Sequence, residues 1–215
     1  MVRGPTVVVL IMNGAVLELP DGGRYLVRPV RSTDRALLTE AFARMSPRNR
    51  YLRFFSPLHE LPAAMLDALT QNDADHFAWV ALACEGDHEA LAGVARYVRL
   101  SDPTSAELAL TVVDPYQGRG IGHLLLDALV LEASRAGVSR FEGEALGDNA
   151  AIRAVLADAG ARLRLGQPGA VHFSFDLAPR AEALRARPEY DVLQRLASGM
   201  APLTATTACE ALTPR

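Results

Sequence analysis

The chain has 215 residues, 50% of them hydrophobic and 22% charged, enough for one domain with a sizeable core and short appendages. A formal net charge of −3 and a pI near 6.0 leave no electrostatic case for nucleic acid or an anionic membrane surface as a partner. Cys84 and Cys209 lie far apart without metal-ligand spacing, and the 5 histidines form no metal pattern, so a reduced, cytoplasmic chain without a metal is expected.

Taken in chain order, the apolar run 6–12 is too short to span a membrane and is broken by Asn13-Gly14. Residues 1–22 are therefore expected to form an N-terminal extension folded as a hairpin, not a targeting segment. A strand over 24–29 precedes an amphipathic helix capped at Ser32 or Thr33, with Leu37, Leu38, Ala41 and Phe42 on one stripe. The segments "SPRNRYLRFFSP" and "ELPAAMLDALT" read as short helices, and Arg44, Arg48, Arg50 and Arg53 as a solvated basic face. Two strands, "HFAWVALAC" and "ALAGVARYVRL", flank the turn "EGDHE", with Trp79 as core.

A third strand, "SAELALTVV", runs into "DPYQGRGIG" and then a helix with Ile121, Leu124, Leu125, Ala128 and Leu129 inward, closed by Gly137. A strand over 139–146, a helix opening at Asp148 or Asn149, and a hairpin of "ARLRLG" with "AVHFSFDL" complete the pattern. The whole is α/β with one mixed sheet, parallel where the strand–helix–strand unit carries the glycine turn. Residues 179–215 are expected to be a C-terminal helix followed by a disordered Thr/Ala-rich tail.

Glycines at 118, 120 and 122 are costly at a helix start, so either the turn is unusually tight or something approaches the backbone closely. A dinucleotide fingerprint fits poorly, because the third glycine is one place early and several strands precede it. The G-K-[ST] of a phosphate loop is absent. A bare helix N-terminus does suit a phosphate, which its free amides and dipole attract. Arg119 either adds a bidentate phosphate contact or is simply exposed.

Gln117-Gly118-Arg119-Gly120-Ile121-Gly122 is similar to the Q/R-x-x-G-x-G/A signature of the GNAT acetyltransferases. With "AELALTVVDPYQGRGIG", "DNAAIRAVLADAGA" and "MSPRNRYLRFF", the chain over 24–177 resembles the catalytic domain of bacterial protein-lysine acetyltransferases of the Pat type. The resemblance implies the GNAT acyl-CoA N-acyltransferase fold over 23–178, with acetyl-CoA as co-substrate and its pyrophosphate held at 117–122. It further implies backbone contacts from Thr111, Val112 and Val113 to the pantetheine arm, and a contact from Asn149, whose alternative is an ordinary helix N-cap.

Acetyl transfer needs a neutral amine, and a free lysine amine with a pKa of about 10.4 is almost wholly protonated at neutral pH. A general base answers this, and Glu107, on one strand face with Ala109, Thr111 and Val113, matches the family glutamate. The alternative is a solvated strand glutamate, with Glu142 and Glu144 as reserve candidates. Many GNAT enzymes carry a tyrosine seven residues after the asparagine to protonate the leaving thiolate; Leu156 stands there in this chain. The resemblance implies direct transfer to a protein lysine. A small amine or amino-acid acceptor, or a non-catalytic acyl-CoA sensor, are the alternatives. Every one of the chain's 22 basic residues is arginine, and no lysine is present.

Overall fold

The computed structural model describes residues 6–11, 14–85, 87–187 and 189–198. Among the described residues nine strands form one sheet in the order β1-β2-β3-β4-β5-β6-β7-β9-β8. They are β1 (Thr6–Ile11), β2 (Gly14–Glu18), β3 (Arg24–Pro29), β4 (His76–Glu85), β5 (His88–Arg99), β6 (Ser105–Val112), β7 (Arg140–Leu146), β8 (Arg162–Leu165) and β9 (Ala170–Asp176). The β6–β7 pair is parallel and every other pair is antiparallel. Among the described residues seven α-helices cover the sheet: α1 (Arg35–Arg44), α2 (Pro47–Phe54), α3 (Ala63–Thr70), α4 (Ile121–Arg135), α5 (Ala150–Asp158), α6 (Leu177–Leu184) and α7 (Tyr190–Ala197).

Helix α4 is the centre of one layer. It packs on β4, β5 and β6 from one side and under α6 and α7 from the other. That second cover explains why burial on α4 exceeds the expected stripe: Leu126, Val130 and Ala133 are as enclosed as Leu125 and Leu129. Where sequence suggested one C-terminal helix there are two, and a charge network ties them down. Buried Asp127 on α4 receives Arg180 Nε at 2.8 Å and Arg187 Nη1 at 2.9 Å, while Arg180 also reaches Asp158 at 2.9 Å. Residues 199–215, including the expected disordered tail, lie outside the described residues.

Helices α1, α2 and α3 occupy the opposite face. The chain enters α1 through a 3₁₀ turn at Ser32–Asp34, so the helix starts later than a Ser32 or Thr33 cap requires. The cause is long-range. Arg28 on β3 clamps Asp34 with two hydrogen bonds of 2.7 and 2.8 Å in a buried pair, and Asp34 also accepts the Arg31 amide. Helix α2 begins as its sequence indicates, with Ser46 accepting the Asn49 amide and Pro47 in the first turn.

Cys84 does not stand as a free thiol, which corrects the expectation of a reduced cysteine there. Cys209 lies outside the described residues. Among the described residues no helix is long and apolar enough to cross a membrane.

Candidate active site

The site begins with a fault in the sheet. The parallel β6–β7 pairing covers only Ser105↔Arg140, Ala106↔Phe141 and Glu107↔Glu142, whereas the β5–β6 ladder continues to Val112. Beyond Glu107 the two strands part. The Val113 amide donates to Ala92 at 2.9 Å, and ladder alternation then commits the backbone groups of Thr111 and Ala109 to β5. Those of Leu110 and Val112 face the opening instead, and the Val112 carbonyl accepts the Gln117 side chain at 3.0 Å. Val113 is buried away from this opening, so the three expected backbone contacts do not share one surface.

The glycine turn resolves into two different requirements. Gly118 and Gly120 have φ of +74° and +92°, a left-handed backbone that other residues adopt at a cost. Gly122 has an ordinary helical backbone. A Cβ there would point at Val155, Leu110 and Val112 at 3.5–3.7 Å, into the space between α4, α5 and β6. Two glycines shape the turn and the third keeps a passage clear. The first turn of α4 leaves the Ile121, Gly122 and His123 amides without helical partners, since the ladder begins with Leu124 donating to Gly120.

These parts line a cleft of ≈ 430 Å³ that includes Thr111, Val112, Gln117, Gly118, Gly120, Ile121, Gly122, His123 and Asn149. Ile121 forms its buried floor. Asn149 caps α5 by accepting the Ile152 amide at 3.1 Å, as in the capping alternative, and it also faces the cleft. Arg119 does not. Its guanidinium bonds to Tyr25, lies 5.7 Å from the Tyr116 ring centroid and is raised above its ordinary pKa by the Tyr25 hydroxyl. Tyr116 does line the cleft, but its hydroxyl binds Glu85, and burial with that bond pushes its pKa up to about 12.

A second cleft of ≈ 530 Å³ adjoins the first, sharing Leu52, Arg53, Leu110, Asn149 and Ile152. Its walls carry Glu107, Glu142, Glu144 and His172, with Glu107 opposite Glu142 in the parallel register and Glu144 opposite His172 across β7–β9. Phe55 ends α2 with φ +54° and stands at this rim 41% exposed, a strained conformation for a residue with a side chain.

Arg53 was not distinguishable from its neighbours in the sequence, and it is the residue the structure sets apart. Arg44 pairs with Glu85, Arg48 with Asp148, and Arg50 with the Ala43 and Met45 carbonyls. Arg53 instead reaches into both clefts. Burial and the nearby Arg96 guanidinium push its pKa down to about 10, against the attraction of Glu107. Asp114 was also missed: it accepts the Ser46 amide at 3.2 Å and so ties α2 to the glycine turn. Burial alone would raise the Asp114 carboxyl, but hydrogen bonds from Asn49 and Ser46 hold it below its ordinary value. Leu156, where many GNAT enzymes have tyrosine, is fully buried core.

Residues 24–162 match the sequence family described as the acetyltransferase (GNAT) domain. Acetyltransferase Pat of Mycolicibacterium smegmatis is 36% identical over 165 residues, covering 76% of this chain and 49% of that protein. An acetyltransferase of Pseudomonas aeruginosa is 34% identical over 141 residues, 65% of this chain and 74% of that one. Among solved structures, the GNAT domain of S. lividans PAT superposes with a TM-score of 0.69 at 30% identity, covering 76% of this chain and 96% of that domain. A cAMP-binding acyltransferase from Mycobacterium smegmatis gives 0.62 at 28% identity, covering 94% of this chain and 56% of that one. The chain thus spans about half the length of its mycobacterial relative. A mixed sheet that parts at Glu107, a glycine turn that bares a helix start, and the family match over 24–162 lead to one assignment: the chain belongs to the GNAT acetyltransferase family.

Proposed function

We propose that the chain transfers the acetyl group of acetyl-CoA directly to a lysine amine of a protein, with Glu107 as general base. The observation that carries this reading is the meeting of two clefts at the parted strands, one lined by bare amides and one by carboxylates. The 24–177 unit is the acyl-transfer domain in this reading. The pyrophosphate lies on the amides of Gly118 to His123, and the pantetheine arm passes Gly122 toward the free backbone edge of Leu110 and Val112. An amine arriving along Glu107, Glu142 and Glu144 meets carboxylates that suit its charge.

The lysine ammonium loses one proton to Glu107, directly or through water, and the neutral amine nitrogen attacks the thioester carbonyl carbon. A backbone amide facing the opening stabilises the oxyanion. The tetrahedral intermediate then gives its second N–H proton to solvent and expels the thiolate, which is protonated from solvent because Leu156 offers no proton. Arg53 and Arg96 both attract Glu107, and that attraction offsets part of the cost of burying two guanidinium groups.

The kinship with Pat enzymes favours protein lysine over a free amine or amino acid as acceptor. The test is Glu107→Gln assayed on a lysine peptide and on small amines. Turnover of the peptide should fall about a hundredfold or more, while acetyl-CoA affinity stays unchanged and the deficit narrows at high pH. Wild-type turnover in the variant would refute the base, and transfer confined to small amines would refute the lysine acceptor.

A further inference from the structure

Phe55 carries two costs that capping a helix does not require. Its amide closes the last turn of α2 on the Tyr51 carbonyl at 2.9 Å, in a left-handed backbone with φ +54°. Glycine or asparagine ordinarily fills that place, and a bulky side chain there is an outlier. Among the described residues it is the one non-glycine residue with a positive φ. Its ring is also left 41% exposed. The neighbouring ring does the anchoring: Phe54 meets Phe42 with centroids 5.7 Å apart, and the Arg53 guanidinium lies 5.0 Å from the Phe54 centroid. Among the described residues no other ring and no guanidinium pairs with Phe55.

Phe55 lines the second cleft and not the first. In that cleft α2 and the end of β5 supply apolar wall from Leu52, Phe55 and Leu100, while β6 and β7 supply the carboxylates of Glu107, Glu142 and Glu144. A ligand that matches both is an unbranched chain ending in an ammonium group, which lays its methylenes on apolar surface and keeps its charge among polar groups. The lysine side chain has that form. Resting on the acceptor reading above, we infer that Phe55 covers the methylene stem of the acceptor lysine and selects it over amines with shorter stems, the α-amine of a chain terminus included. A strained residue held at a cleft is where such a role is found.

The ring leaves the bond changes of transfer untouched and acts on binding. Each methylene removed from water favours binding by up to about fourfold. A whole stem covered on one side therefore gains about tenfold. An amine without the stem gains nothing from the ring.

The experiment measures acetyl transfer to a lysine peptide and to its ornithine and diaminobutyrate analogues, one and two methylenes shorter. Wild type is compared with Phe55→Gly, which suits the left-handed backbone and removes the ring, and with Phe55→Tyr, which keeps it. Comparing each variant with wild type on the same peptide cancels the amines' own reactivity. Phe55→Gly should lower kcat/KM on the lysine peptide about tenfold, through KM, and on diaminobutyrate only about twofold. The KM for acetyl-CoA should not change, and Phe55→Tyr should keep wild-type selectivity. An equal loss on all three peptides, no loss on lysine, or lost selectivity in Phe55→Tyr would overturn the inference. Relief of the strained backbone should hold the Tm of Phe55→Gly within about 4 °C of wild type; a larger fall marks a ring kept for packing and overturns it too. Calorimetric titration of the lysine peptide supplies a readout independent of turnover. Weaker binding to Phe55→Gly than to wild type supports the cover even if no peptide is acetylated, a result that would reject the transfer reading alone. Equal binding, or none to either protein, overturns the cover.

Discussion

Gly122 allows stability and ligand binding to be separated by one substitution. Its backbone is helical, so leucine fits there without strain, unlike at Gly118 or Gly120. Replacing glycine by leucine near a helix start should stabilise the fold by about 0.5–1 kcal/mol, raising Tm by about 1–4 °C in a chain of this size. The Cβ direction, 3.5–3.7 Å from Val155, Leu110 and Val112, sends the new side chain across the cleft. The pantetheine arm would lose its passage, and acetyl-CoA affinity should fall at least tenfold, about 1.4 kcal/mol. Gly120→Ala gives the contrast: at φ +92° it should cost about 1–2 kcal/mol of stability. Paired thermal melts and calorimetric titrations read both quantities on the same samples. Gly122→Leu binding acetyl-CoA with wild-type affinity would refute the proposed path of the cofactor.

Other consequences are equally direct. Arg180→Met leaves buried Asp127 with half-exposed Arg187 as its remaining ion-pair partner, and should destabilise by about 3 kcal/mol or more; a urea midpoint within error of wild type would show that the network does not anchor α6 and α7. The Asp114 carboxyl lies below its ordinary value, so its contribution is present above the unfolded pKa and is lost as pH falls through the folded one. Between about pH 5 and 3, urea midpoints should therefore fall more steeply in wild type than in Asp114→Asn, and parallel curves would count against the α2 clamp. With no lysine in the chain, incubation with labelled acetyl-CoA should leave no stable N-acetyl label on its own side chains, since arginine stays protonated and is a poor nucleophile. A mass-mapped internal N-acetyl group would contradict this.

The glycine turn, the strand carrying Glu107 and the parallel unit were legible in the sequence because each is a local pattern: period-two alternation, then glycines, then a helical stripe. What escaped was set by contacts across the chain. Asp34 moved the start of α1 because Arg28, six residues away on β3, captures it. Arg53 looked like one of four equivalent cations, since spacing on an eight-residue helix does not reveal which of them meets a cleft. Arg119 sits inside the signature yet turns to Tyr25, a partner that no local reading supplies. The full burial of α4 depended on α6 and α7, which lie more than forty residues downstream of its end.

The brevity of the β6–β7 pairing has a mechanical consequence. Among the described residues six strands lie on one side of the fault and three on the other, stitched by three residue pairs, by the Thr104 carbonyl that accepts the Ser139 and Arg140 amides, and by Tyr97 and Phe141, whose rings sit 6.0 Å apart across β6. The two parts of the sheet are thus joined over a short length, and the widest part of the gap is held by no β6–β7 ladder bond. A thioester bound along that gap as proposed would act as a splint against α4, α5 and the free edge of β6. Because it binds the folded joint and not the open chain, a hundredfold excess over its Kd should stiffen the whole by about 2.7 kcal/mol. The amides of Leu110 and Val112 should then exchange slowly with solvent only while the splint is in place. In the proposed reaction the thioester would be, for the length of one turnover, also part of the protein's framework.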